Sequence, residues 1–209
     1  MIIEIQRDDD VLMTMGLAGR RQAELRLKIL GEESVHQGET LLRYVGDYVA
    51  AARKPIRSSD TMMFGYWLIK FVAGPAGVLD VWEYDAMAKT FREGAELALK
   101  YWREQHEVCA RTGARFTPPR PDQLVVVSEG VFEGDSVKAV RYPSPEHMSG
   151  WWMVTDRYTG EVNSMRQEHM YHLTYRRPDL VPYIALPFGY RFDLTHHEDI
   201  WLDKEALEE

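Results

Sequence analysis

The chain has 209 residues, 45% of them hydrophobic and 28% charged, and a net charge of −8. That length buries a real core as one large domain or two small ones, and no uncharged apolar run approaches the roughly 18 residues of a membrane span. One cysteine, Cys109, excludes an internal disulfide, and the opening MIIEIQRDDD is too short in its apolar part for a secretory signal, so a reducing cytoplasm is the expected location.

In chain order, QAELRLKIL (22–30) alternates Ala23, Leu25, Leu27 and Ile29 with Glu24, Arg26 and Lys28, the period of a half-buried strand. Leu41, Leu42, Val45, Tyr48, Val49 and Ala52 then recur at three and four, predicting an amphipathic helix that Pro55 ends near Lys54. TMMFGYWLIKFV (61–72) and GVLDVWEYD (77–85) read as two strands of a hairpin. EGAELALKYWREQHEVCARTG (93–113) is a second helix, with Ala95, Ala98, Leu99, Trp102 and Cys109 on its buried side and Gly113 as its stop. The first part is therefore a strand-helix-hairpin-helix unit of α+β class.

RFTPPRPDQ (115–123) holds three prolines and marks the expected boundary, giving an N-terminal α+β domain over 1–119 and a second domain over 120–209. Beyond it, LVVVSEGV (124–131), VKAVRYP (137–143), GWWMVTD (150–156) and YRFDL (190–194) predict a small, mostly antiparallel sheet, and RRPDLVPYIAL (176–186) a short helix. HMYHLTY (169–175) fits strand or helix, and strand is preferred. The remainder, from Asp193 onward, reads as an acidic tail.

Charge is uneven. Residues 1–119 carry 17 acidic and 16 basic side chains, a net of −1, whereas residues 120–209 carry 16 and 9, a net of −7. Seven acids, Asp193, Glu198, Asp199, Asp203, Glu205, Glu208 and Glu209, stand against Lys204 alone after residue 192. Binding to nucleic acid requires a basic surface, so no nucleic-acid or membrane partner is expected, whereas a basic protein suits this end. A solvated tail that only aids solubility is the plainer reading.

No phosphate-binding loop, dinucleotide fingerprint, nucleophile elbow or zinc-protease motif occurs, and no carboxylate pair stands out as an acid/base couple. No catalytic residue, cofactor or metal is therefore assigned. His169-x-x-His172 can begin a metal site on a helix but needs a third ligand, and on a strand the two face apart. His196–His197 beside Glu198 and Asp199 fits a solvated turn. Cys109, three residues from His106, fits a buried helix face better than a reactive thiol. Trp151 and Trp152 are adjacent, so on a strand one enters the core and the other faces out. An outward indole among polar groups is typical of a protein-binding anchor, because it removes a large apolar area from water at little rotamer cost. Both indoles in the core is the competing reading.

RYPSPEHMSGWWMVTDRYTGEVNSM (141–165) and EHMYHLTYRRPDLVPYIALPFGYRF (168–192) are similar to the C-terminal domain of a bacterial immunity-protein family, number thirty-three among the polymorphic-toxin immunities, a domain formerly of unknown function. FGYWLIKF, LDVWEYD, WREQHEVCARTG and FTPPRPDQLVVVSEGVFEGDSV resemble the segments that precede that domain in longer members, so the likeness runs over about residues 20–194. The resemblance implies a protein that blocks a cognate secreted toxin by tight, non-covalent binding and carries no catalytic residues. The contact residues expected on physical grounds are Trp151 or Trp152 as anchor, Tyr158 and His147 beside it, and Asp193, Glu198, Asp199 and Asp203 as acidic contacts. The expected partner is the cognate toxin, basic and most simply a nuclease. The rivals are a metal-dependent hydrolase using His169 and His172, and a scaffold or accessory subunit.

Overall fold

A computed structural model describes residues 3–208. Met1, Ile2 and Glu209, the last of the acids counted above, lie outside the described residues. The chain divides into two compact units, Met1–Arg103 and Glu104–Glu209, and the fold is α+β.

The first unit opens on β1 (Glu4–Asp8) and β2 (Val11–Met15), followed by β3 (Leu25–Lys28), α1 (Val35–Ala51), β4 (Thr61–Phe64), β5 (Trp67–Ala73), β6 (Leu79–Tyr84) and β7 (Phe91–Glu93). The sheet order is β1-β2-β3-β6-β5-β4 with β7 on β6, and every pair is antiparallel except β3 with β6. The alternation from residue 22 onward becomes β3, with Leu25 and Leu27 buried and Arg26 and Lys28 outward. The β1–β2 hairpin has no such signal, because β1 is polar and almost wholly exposed. α1 buries Leu41, Leu42, Val45 and Val49 and ends at Ala51, where Ala52 turns extended. Helix α2 (Glu96–Thr112) runs through the division at Arg103. Its first-turn N–H groups have no partner within the helix. Leu97 and Ala98 donate theirs to the carboxylate of Glu83 on β6, at 3.1 and 2.8 Å, and Arg92 bonds the same carboxylate at 2.7 Å. Burial pushes the Glu83 carboxyl up, and these donors oppose that shift.

The second unit continues with β8 (Leu124–Val127), β9 (Lys138–Arg141), β10 (Met148–Val154), β11 (Arg166–His169), α3 (Tyr171–Arg176), β12 (Tyr190–Asp193) and β13 (Asp199–Leu202). Its six-stranded sheet has the order β11-β8-β10-β9-β12-β13, antiparallel except β8 with β10. Two expectations need correction. HMYHLTY is not a strand: β11 stops at His169 and α3 starts at Tyr171, burying Met170, Leu173 and Thr174 at helical spacing. The acidic tail is not merely solvated chain, since Asp199–Leu202 pairs in register with β12 as an edge strand.

Two residues decide which way β10 presents its tryptophans. Gly150 sits at a bulge, where the register against β8 jumps between Met148 and Trp152. Its φ is +82°, and a Cβ there would lie 2.3 Å from the Tyr142 carbonyl oxygen, so only glycine fits. Arg141 lies opposite Trp151 on β9 and is 3% exposed. Its guanidinium donates to the carbonyls of Ser149 (2.9 Å), Thr117 (2.5 Å) and Leu186 (2.6 Å) and lies over the Phe188 ring at 4.9 Å. Desolvation lowers its pKa to about 10, so it remains charged at neutral pH. Trp151 is fully buried and donates its indole N–H to the Ile184 carbonyl at 2.9 Å. Arg141→Met strands several buried carbonyls and is expected to cost roughly 2–4 kcal/mol, read as a lowered urea midpoint. Arg141→Lys recovers little, because one ammonium cannot span the fork. An unchanged midpoint in either variant contradicts this role.

Candidate protein-binding face

The outer face of the second sheet follows from the strand register. Trp152 on β10 stands opposite Val140 on β9, Val140 opposite Arg191 on β12, and Arg191 opposite Trp201 on β13. The next row runs Val154, Lys138, Asp193, Asp199. Side chains alternate across a sheet, so these two rows share one face, while Met153, Ala139 and Phe192 are buried on the other. The outer rows, Asp199 excepted, line a groove of about 730 Å³, to which Tyr142, Pro143 and Tyr158 add side walls. Tyr142 meets Trp152 edge-on with ring centroids 6.3 Å apart. Trp152 is half-buried as part of the groove wall, and Trp201 is 41% exposed at its rim.

The two cations of the groove are compensated. Lys138 lies 3.8 Å from Asp193 and 3.9 Å from Asp156, and Arg191 bonds Asp203 at 2.6 Å. The Arg191 bond holds the Asp203 carboxyl below its ordinary value. Burial pushes Asp193 up, but the Thr195 hydroxyl and backbone N–H and the Lys138 charge outweigh it and leave it low. With Asp199 exposed beside them, the face is aromatic at its centre and acidic at its margin.

Residues 104–203 match the Imm33-like domain. The match covers 100 of the 209 residues, so the likeness is of this stretch. Every residue that lines the groove falls inside it. Neither a curated protein nor a solved structure matches the chain.

The Imm33-like domain brings together part of the expected site. Trp152, Tyr158 and Asp193 line the groove, and Asp199 and Asp203 stand at its margin. Trp151 is the core member of the pair. His147 is exposed in the loop before β10 and does not line the groove. Glu198 points elsewhere: it accepts from the Tyr183 hydroxyl at 2.7 Å and pairs with Arg111 of α2 at 2.5 Å. Reasoning from sequence missed Tyr142, Lys138, Val140, Val154, Arg191 and Trp201. The alternation Lys138, Val140, Tyr142 was legible in VKAVRYP. Trp201 was hidden by reading its segment as tail.

The histidines do not converge. His172 bonds Glu168 at 2.8 Å, His169 meets the Asp122 carbonyl at 3.1 Å, and the two rings lie 6.1 Å apart. Among the described residues no three His, Cys, Asp or Glu side chains gather as a metal site. Cys109 is buried, and burial raises its thiol pKa. No described helix is long and apolar enough to cross a membrane.

Glu198 gives this unit a pH signature. Burial pushes its carboxyl up, yet the bonds from Arg111 and Tyr183 prevail and hold it low. Tyr183 in turn is pushed up to about 12, first by burial and then by the Glu198 bond. A carboxyl whose pKa falls on folding stabilises above its unfolded value and loses that contribution as pH drops through its folded value. Glu198→Gln is therefore expected to flatten the loss of stability below about pH 5 in urea titrations. Identical acid limbs in parent and variant contradict it.

Proposed function

We propose that this chain is an immunity protein that acts in the cytoplasm and neutralises a cognate secreted antibacterial toxin by non-covalent occlusion. The reading rests on one observation: within the Imm33-like domain, the concave aromatic feature is an open sheet face, walled by aromatic rings and margined by carboxylates. An enzyme site needs converging nucleophiles, acids or metal ligands. This face instead offers a groove walled by two indoles and two phenols, with charges already neutralised inside it. A protruding side chain of a partner fills such a groove and becomes desolvated, which is how a few contacts come to dominate the affinity of an interface.

The acidic margin favours a basic partner. A toxin that cuts nucleic acid has a cationic cleft, because its substrate is a polyanion. An acidic inhibitor then gains encounter rate from steering and blocks substrate entry once seated. A nuclease is accordingly the toxin class that this surface suits best, with Trp152 as the anchor and Tyr158, Trp201 and Asp193 around it.

Co-expression with the toxin encoded beside it is expected to restore growth, and toxicity that persists despite abundant folded immunity protein defeats the proposal. Trp152→Ala is expected to weaken the purified complex roughly thirty-fold, about the 2 kcal/mol of a hot spot, with the unfolding midpoint little changed. Neutralising the exposed acids Glu205 and Glu208 to amides is expected to slow association and reduce its salt dependence while leaving dissociation near that of the parent.

A further inference from the structure

The two edges of the second sheet are built differently. β11 reads Arg-Gln-Glu-His, a polar edge of the kind that resists pairing. β13 reads Asp-Ile-Trp-Leu, with Trp201 41% and Leu202 46% exposed, and its register with β12 is unbroken by any bulge. No proline or lysine lies within it. Its exposed apolar groups are not isolated. Leu207 and Leu202 crowd Gly189, and Phe188, the residue before it, is also exposed. Among the described residues no strand pairs with the outer side of β13. Such an edge, with apolar groups on both faces, is a template for another strand.

We propose that β13 is a docking edge, on which an extended basic segment of the toxin adds a seventh strand to the sheet. This rests on the immunity reading above and specifies how the partner approaches. The side chains fix the chemistry of the added strand. Asp199, Trp201 and Asp203 alternate on the groove side, while Ile200 and Leu202 face the other way. The incoming strand therefore carries Lys or Arg opposite each Asp, a group able to lie on the indole between them, and apolar residues opposite Ile200 and Leu202. Cross-strand pairs of opposite charge and of aliphatic groups are the favourable ones, and a guanidinium over the Trp201 face gains a cation–π contact. A second copy of this chain is the wrong occupant. Symmetric antiparallel pairing about Trp201 sets Asp199 opposite Asp203 twice, and like charges directly opposite are destabilising.

The test is amide hydrogen exchange on the full chain, free and bound to a catalytically inactivated form of the neighbouring toxin, together with the affinities of Trp152→Ala, Asp199→Asn and Asp199→Lys. Strand addition protects the outward-pointing amides of residues 199–203 by at least about tenfold on binding, and Asp199→Lys weakens the complex about tenfold more than Asp199→Asn. A complex that forms and is weakened by Trp152→Ala, but leaves those amides exchanging as in the free chain, overturns the docking edge and leaves the groove reading standing. If no complex forms with the folded chain, both fall together.

Discussion

A buried guanidinium organises the second unit. Among the described residues Arg141 has no carboxylate partner within bonding distance; its N–H groups are spent on main-chain carbonyls from three separate segments, and its faces lie near Trp151 and Phe188. Only arginine presents several donors in a fixed plane and tolerates stacking on rings. The arrangement ties Thr117 at the start of the proline-rich stretch, Ser149 at the bulge and Leu186 after the helical turns to one point of the sheet. A neutral side chain would leave those carbonyls dry and unpaired. The outward face inherits its shape from this inward interaction: once Trp151 is held against Ile184, Gly150 and the two-residue period leave Trp152 no direction except the groove.

The same logic of local compensation explains why the groove suits protein docking. Lys138 and Arg191 are each matched by carboxylates within the unit. Covering them with a partner therefore desolvates pairs whose charges already balance, which costs less than covering a lone ion. The uncompensated acids lie at the margin, where water screens them. There they act mainly on encounter, and the aromatic floor acts on dissociation.

How much of this was legible depended on whether a segment's signal was local. α1 and α2 each span 17 residues and bury several side chains on one face, so their periodicity is plain. Trp151/Trp152 could be split into one inward and one outward residue by strand period alone, but which was which depends on the Gly150 bulge and on Arg141, and those are tertiary facts. α3 has six residues, fewer than two turns, and its helical spacing could not be told from a strand. β13 was hidden by composition: a single apolar triplet among acids has no period to read, and its pairing is set by β12, not by itself. The expected acids divided by environment in the same way. Glu198 is occupied by Tyr183 and Arg111 from distant parts of the chain, while Asp193 shares a row with Trp152's neighbours.

The first unit also has an open sheet face, but its side chains satisfy one another. On the first, Arg26 bonds Asp80 at 2.6 Å and Lys28 reaches Glu93 at 3.4 Å, closing the cavity between them to about 190 Å³. Tyr84 stacks on Phe91 at 4.2 Å, and Lys70 covers that ring. Tyr84 and Phe91 are thus engaged with each other, and the charges cross the sheet as pairs. Another hollow of the first unit, about 650 Å³ at the end of α1, is lined by Arg53, Lys54 and Arg57 against Asp60 alone, a net basic lining of the wrong sign for a basic partner. In the second unit the rings of Trp152 and Trp201 stand on the same face with a groove between them that neither fills. A surface that satisfies itself gains little from a partner. One that leaves indole area half-covered and an edge strand unpaired gains from both, and the two features adjoin at Trp201.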